Sequence, residues 1–218
     1  TTAGVSMLVY VAILMAMFIV ALVFAIQRFY RGLLGDEGYL MHTLPVKPWQ
    51  LIGAKLLCAV VTTFLSVVVA ILSVLVIVPW SLEDLQVLFK GFQYLFGHWG
   101  LEGTRAFLGL LELLLLMLVS FATGFLQLYL AMSVGHLFNK NRVAMSVVAF
   151  IAINAVMSTL LSTVASGLDP IIWPLLNGKS GQWLYHRSMW VAIAGELVLS
   201  AIYFAGTEFI LRKKLNLE

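Results

Sequence analysis

The stretch 28-RFYRGLLGDEGYLMHTLPVKPWQLIGAK-55 is the longest polar interruption in a chain that is otherwise apolar from end to end. Within it Glu37, Leu40, Met41 and Leu44 fall at i, i+3, i+4 and i+7, which is one face of a short helix. Pro45 ends that helix, because proline disfavours the helical region for the residue before it. Pro48 opens the next one, where its missing N–H costs nothing. A helix lying on lipid keeps its acids on the polar face. Here Glu37 shares a face with three apolar residues, and Asp36 stands beside it. That face suits a protein groove offering apolar contact together with a basic group or an N–H donor. On spacing alone, a loop folded back on its own helix ends fits equally well.

Working outward, composition sets the class. The 218 residues are 62% hydrophobic and 11% charged, and the mean hydropathy is +1.02. A soluble domain is nearer half apolar and a quarter charged, so the chain reads as an integral membrane protein. Five runs are long enough to cross a bilayer, at about 20 residues per helix. They cover about 4–26, 51–78, 106–137, 143–164 and 189–211. The fold class expected is therefore an all-α polytopic helical bundle with a short cytoplasmic coupling helix, one transmembrane domain over 1–218. The 51–78 run would extend about 42 Å as a straight helix, more than a bilayer requires. It should tilt or project, with Lys55 snorkelling to the interface. Gly124 or Gly135 is placed to bend the long third run.

The net charge of +3 is no nucleic-acid footprint, because in a membrane protein Lys and Arg report orientation. Arg28, Arg31, Lys47, Lys55, Lys140, Arg142, Arg212, Lys213 and Lys214 fall on one side of the alternating spans. Lys90, Arg105, Lys179 and Arg187 fall on the other. Nine against four places the 28–55 loop, the FNKNR turn and the C-terminus in the cytoplasm. An odd number of spans then leaves Thr1 outside, and a preceding sixth span is the simplest account of how it got there.

On the opposite side, Ser81-Leu-Glu-Asp84 resembles a capping box opening an interfacial helix over about 82–96. Its Leu85, Leu88, Phe89, Phe92 and Phe96 follow helical spacing, bracketed by Trp80 and Trp99. The 167–188 loop holds Pro170 and Pro174 among apolar residues and reads as a short, broken re-entrant or interfacial hairpin packed on the helices.

Little here points to an enzyme. Gly178-Lys179-Ser180 imitates the end of a phosphate-binding loop, but Trp173 stands where that motif needs glycine. His42, His98, His136 and His186 sit in separate loops without metal-ligand spacing and read as solvated or interfacial histidines. Cys58, the one cysteine, has no internal disulfide partner. Three carboxylates do fall inside spans, where a charge is costly and normally faces the bundle interior. Glu208 has Arg212 at i+4 for a structural pair. Glu112 and Glu196 are the candidate intramembrane polar site. They face each other or a substrate or proton path, or serve as internally bonded acids that hold helices together.

The run GDEGYLMHTLPVKPWQLIGAKLL resembles the cytoplasmic loop of type-2 ABC exporter permeases, the membrane subunits driven by a separate ATP-binding-cassette ATPase. In that family an acidic residue opens a short coupling helix, followed by a T-L-P-V-x-P turn and a helix with an early lysine. The matching residues are Glu37, Thr43-Leu44-Pro45-Val46-Lys47-Pro48 and Lys55. The ending RKKLNLE is similar to that of bacterial members, and the rest of the chain matches in layout only. The family normally has six spans.

The resemblance implies that Asp36, Glu37, Leu40, Met41, Leu44 and Pro45 form the contact with the ATPase. It implies ATP and Mg bound by that partner rather than by this chain, a second permease chain, and export of a hydrophobic or amphipathic peptide, lipid or drug across the cytoplasmic membrane. The partners implied are ABC ATPase subunits and membrane lipids, with no nucleic acid. Two other readings compete with it. One is a proton-coupled secondary transporter working through Glu112 and Glu196; the other is a non-transporting immunity or sensor subunit.

Overall fold

A computed structural model of the chain describes residues 2–31, 47–77, 81–97, 101–138, 141–176 and 181–213. Among these residues there are six helices and no strand. They are α1 (Thr2–Phe29), α2 (Pro48–Ile77), α3 (Leu82–Gly97), α4 (Leu101–Gly135), α5 (Arg142–Leu176) and α6 (Gly181–Lys213). All but α3 are long and apolar enough to cross a membrane. Large apolar side chains stand exposed along every one of them, Ile13, Leu65, Leu113, Val156 and Val198 among them. Such a surface is incompatible with water and suited to lipid. The chain is an all-α multi-pass membrane protein.

The helix starts have local causes. Lys47 and Pro48 occupy the N-cap and first positions of α2, and the Lys47 N–H donates to Gln50 Oε1 at 3.1 Å. That bond is half of a capping box. At α3 the box is complete. The Ser81 N–H and hydroxyl both donate to Asp84 Oδ2, at 3.0 and 2.6 Å, and the Asp84 N–H donates back to Ser81 Oγ at 3.1 Å. Asn141 takes a left-handed conformation (φ 55°) just before α5, which asparagine tolerates better than most residues.

Helix α4 is the hub, packed against α1, α2, α3, α5 and α6, and its seam with α6 is the most extensive. Along that seam Gly109 meets Tyr185, Thr123 meets Ser200, and Leu130 meets Gly206. The two sets of numbers rise together, so α4 and α6 run parallel. Tyr10 pairs with Ser73 and Arg28 with Lys55, so α1 and α2 run antiparallel. The C-terminal ends of α1, α4 and α6 thus meet the start of α2 at one end of the bundle. The core lies there, built on Phe29, Ile52, Phe125, Leu126, Tyr129, Met132 and Tyr203.

Three expectations are revised. Helix α5 continues to Leu176 and α6 begins at Gly181, so 167–188 is largely two helix ends rather than a broken hairpin. Proline is tolerated in membrane helices because neighbouring groups re-satisfy the freed backbone. Gly135 ends α4 at a close helix approach. A Cβ there would lie 2.6 Å from the Ser146 backbone nitrogen, so only glycine fits without a shift. Gly124 lies inside the unbroken α4. Finally, among the described residues Glu208 makes no ion pair with Arg212.

Candidate functional site

The predicted coupling residues Asp36, Glu37, Leu40, Met41, Leu44 and Pro45 lie outside the described residues. Their two flanks are described, and both are anchored. At the end of α1, Phe29 is fully buried and stacks on Tyr129 of α4, with ring centroids 3.8 Å apart and planes 7° from parallel. Such a contact is worth about 0.5–1.5 kcal/mol beyond the area it buries. At the start of α2, Lys55 Nζ donates to the Arg28 carbonyl at 3.3 Å, and the Tyr129 hydroxyl reaches the Lys55 carbonyl at 3.5 Å. Lys55, for which snorkelling to the interface is expected, thus reaches a carbonyl in the last turn of α1, where a cation complements the helix dipole.

Glu112 and Glu196 are not brought together. Glu112, on α4, accepts a 2.9 Å bond from Trp190 Nε1 and pairs with His186 Nδ1 at 2.7 Å, both on α6. The Glu196 carbonyl lies level with Thr123, whose hydroxyl reaches it at 3.3 Å. Thr123 is eleven residues along α4 from Glu112, about 16 Å at the helical rise per residue. Two carboxylates on parallel helices meet only if their offset equals the packing register, and that register is set by side chains elsewhere along the seam.

His186 is therefore no solvated histidine but the partner of an intramembrane acid. Around this pair Arg105 donates to Gln182 Oε1 at 3.2 Å and the Tyr185 hydroxyl donates to the Gly109 carbonyl at 3.4 Å. A Cβ at Gly109 would stand 3.1 Å from the Tyr185 ring. Spacing alone did not reveal this cluster. The signal available was the concentration of His, Trp, Tyr and Arg at 182–190, opposite an acid in another span.

Glu196 has a different setting. It is half-buried and lines a cleft of ≈ 280 Å³ between α4, α5 and α6, with Thr123, Gln127, Asn154 and Ser158 among its walls. Among the described residues its carboxylate accepts no hydrogen bond and joins no ion pair. Thr123 shares its hydroxyl among the Val119 and Glu196 carbonyls and Ser200 Oγ, the last at 2.8 Å. The α4–α6 seam is thus polar at this level as well.

His136 packs its ring 5.0 Å from Tyr30, and its Nε2 is buried without a partner among the described residues. Burial, aided by Arg142, holds its pKa below the ordinary histidine value, so the ring is neutral at physiological pH. His42 and His98 lie outside the described residues. Among the described residues no group of three His, Cys, Asp or Glu could hold a metal ion. Comparison with family models, with curated proteins and with solved structures found no match to this chain.

Proposed function

We propose that this chain is the permease subunit of an ATP-driven ABC exporter, coupled to a separate ATPase through residues 36–44. The observation that carries the reading is the tie between the two flanks of that segment. Lys55 of α2 caps the end of α1, and Phe29 of α1 lies flat on Tyr129 of the hub helix. A displacement that reaches either flank is therefore passed to α1, α2 and α4 together. Such a lever is what a partner needs if it binds two states of the bundle with different affinity.

On this reading ATP and Mg belong to the partner ATPase. The working transporter pairs two permease chains with two ATPases in the cytoplasmic membrane, with the C-terminus of each permease in the cytoplasm. The substrate class, a hydrophobic or amphipathic peptide, lipid or drug, follows from the resemblance of the loop alone.

The experiment is a gentle-detergent purification from native cells, followed by mass spectrometry of co-purifying subunits. A stoichiometric ABC ATPase, lost in the Glu37→Ala/Leu40→Asp variant, is the expected result. A clean preparation from cells expressing such an ATPase refutes the assignment.

A second reading, a proton-coupled transporter, draws on Glu196, which lines a cleft with Thr123, Gln127, Asn154 and Ser158 and has no partner among the described residues. It predicts transport that collapses with the proton gradient, needs no ATPase and is abolished by Glu196→Gln.

A further inference from the structure

At the end of the bundle holding the core, three cations converge on one cavity of ≈ 580 Å³ between α1 and α2. They are Arg28, Arg31 and Lys55. Among the described residues no acid lines that cavity or pairs with any of the three. Lys55 uses one of its donors on the Arg28 carbonyl. Neither guanidinium is hydrogen-bonded among the described residues. Three like charges sharing one cleft repel one another, so an anion with several acceptor oxygens would be held there favourably.

The remaining wall is uncharged and mostly apolar: Phe24, Ala25 and Ala59 line it, with Gln27, Cys58 and Thr62 among them, as the cavity runs from Arg28 back towards Ala21. Seven residues of helix separate Ala21 from Arg28, about 10 Å along α1. The space is thus basic where the span ends and apolar where it enters the hydrocarbon. Its size lies within the roughly 300–1,000 Å³ usual for small-ligand sites. A ligand matching that gradient carries a phosphate at one end and a hydrocarbon chain at the other. Basic pockets between spans recognise lipid headgroups in this way.

We propose that the α1/α2 cavity binds the phosphate headgroup of an anionic phospholipid through Arg28, Arg31 and Lys55, with an acyl chain lying along Phe24 and Ala21. The site is separate from Glu112 and Glu196, and it holds whether or not an ATPase binds residues 36–44.

The test is native mass spectrometry of the full chain, extracted in mild detergent and supplied with phosphatidylglycerol or phosphatidylcholine. Wild type should retain phosphatidylglycerol preferentially. Arg28→Gln/Arg31→Gln should weaken that retention by on the order of tenfold or more, since each cation near a membrane surface contributes roughly fivefold. Arg28→Lys/Arg31→Lys keeps the charge and should preserve most of the retention, which separates loss of charge from loss of fold. Ala21→Trp, which fills the chain-binding end and leaves every charge in place, should also reduce retention. Equal retention of the two lipids, or undiminished retention by Arg28→Gln/Arg31→Gln, overturns the proposal. Displacement of the lipid by millimolar inorganic phosphate assigns the cavity to a soluble phosphate and overturns the lipid reading.

Discussion

The two ends of the α4–α6 seam are held by different chemistry. At the C-terminal ends of α4 and α6 the contacts are dry and close. Phe125, Leu126, Tyr129 and Met132 of α4 are buried, as are Tyr203, Ile210 and Leu211 of α6. At the N-terminal ends the helices are joined by polar side chains instead, with Glu112 bonded to His186 and Trp190 and Arg105 bonded to Gln182. In lipid an apolar contact gains no hydrophobic driving force, because the tails are as apolar as the side chains. The dry end therefore depends on fit, whereas the polar end depends on the absence of other partners for its groups. The difference implies that the dry end is sensitive to shape, and the polar end to the loss of a donor or acceptor.

The largest expected effect comes from Tyr129→Ala, which removes the ring that joins α1, α2 and α4. An aromatic truncation in a water-soluble core costs about 3–5 kcal/mol. Here the transfer contribution is missing, so roughly 2–4 kcal/mol is expected in a denaturant titration in bicelles. A loss below about 1 kcal/mol would remove Tyr129 from the centre of the packed end.

Next in size is Gly135→Ala, whose Cβ meets the Ser146 backbone at 2.6 Å. Backbone gives way less readily than the tip of a side chain, so roughly 1–3 kcal/mol is expected, as for other overpacked sites. Gly124→Ala meets nothing within 4 Å and should be neutral or mildly stabilising. Equal effects at the two glycines would mean that close approach is not what distinguishes them.

At the polar end a double-mutant cycle between Glu112→Ala and His186→Ala should give a coupling of roughly 0.6 kcal/mol, and at most about 1.7, as for other interhelical bonds in bilayers. Glu112→Gln retains an acceptor for Trp190 and should restore part of the loss. Zero coupling would sink the pairing.

The smallest effect is at α3, outside the seam. The Ser81 hydroxyl, joined by its N–H, holds the Asp84 pKa below its ordinary value of 3.8. A lowered carboxylate pKa stabilises the folded form above that ordinary value, and the gain disappears as the pH falls through the lowered one. The protection factor of the Asp84 amide, taken against the slower intrinsic exchange in acid, should fall as the pH drops below ~4, and Asp84→Ala should mimic this at neutral pH. An α3 start indifferent to both changes would contradict the capping role.

Much of the architecture was legible in the residues. Helices α1, α2 and α4 begin and end near the apolar runs, and Ser81-Leu-Glu-Asp84 opens α3 as its spacing predicts. The alternation of cations also has a counterpart, since Arg28, Arg31, Lys55, Arg142 and Arg212 gather near one end of the bundle. These features rest on local physics: hydropathy per residue, proline geometry and side-chain capping act within a few positions and need no neighbour. The extent of α5 was misread for the same reason, because Pro170 and Pro174 argue locally for a break that the continuous helix does not show.

The site itself was decided by tertiary structure. From the sequence Glu112 and Glu196 are equivalent intramembrane acids, and His186 is an ordinary loop histidine. Parallel packing of α4 and α6 gives Glu112 two partners and leaves Glu196 facing a cleft, and it assigns Glu208 no partner in Arg212 among the described residues. Likewise, Lys55 reaches the Arg28 carbonyl because α1 and α2 run antiparallel with their ends aligned. Hydropathy determines which residues enter the membrane. Register between helices, fixed by close contacts such as Gly206 on Leu130 and Gly109 on Tyr185, determines which of them meet.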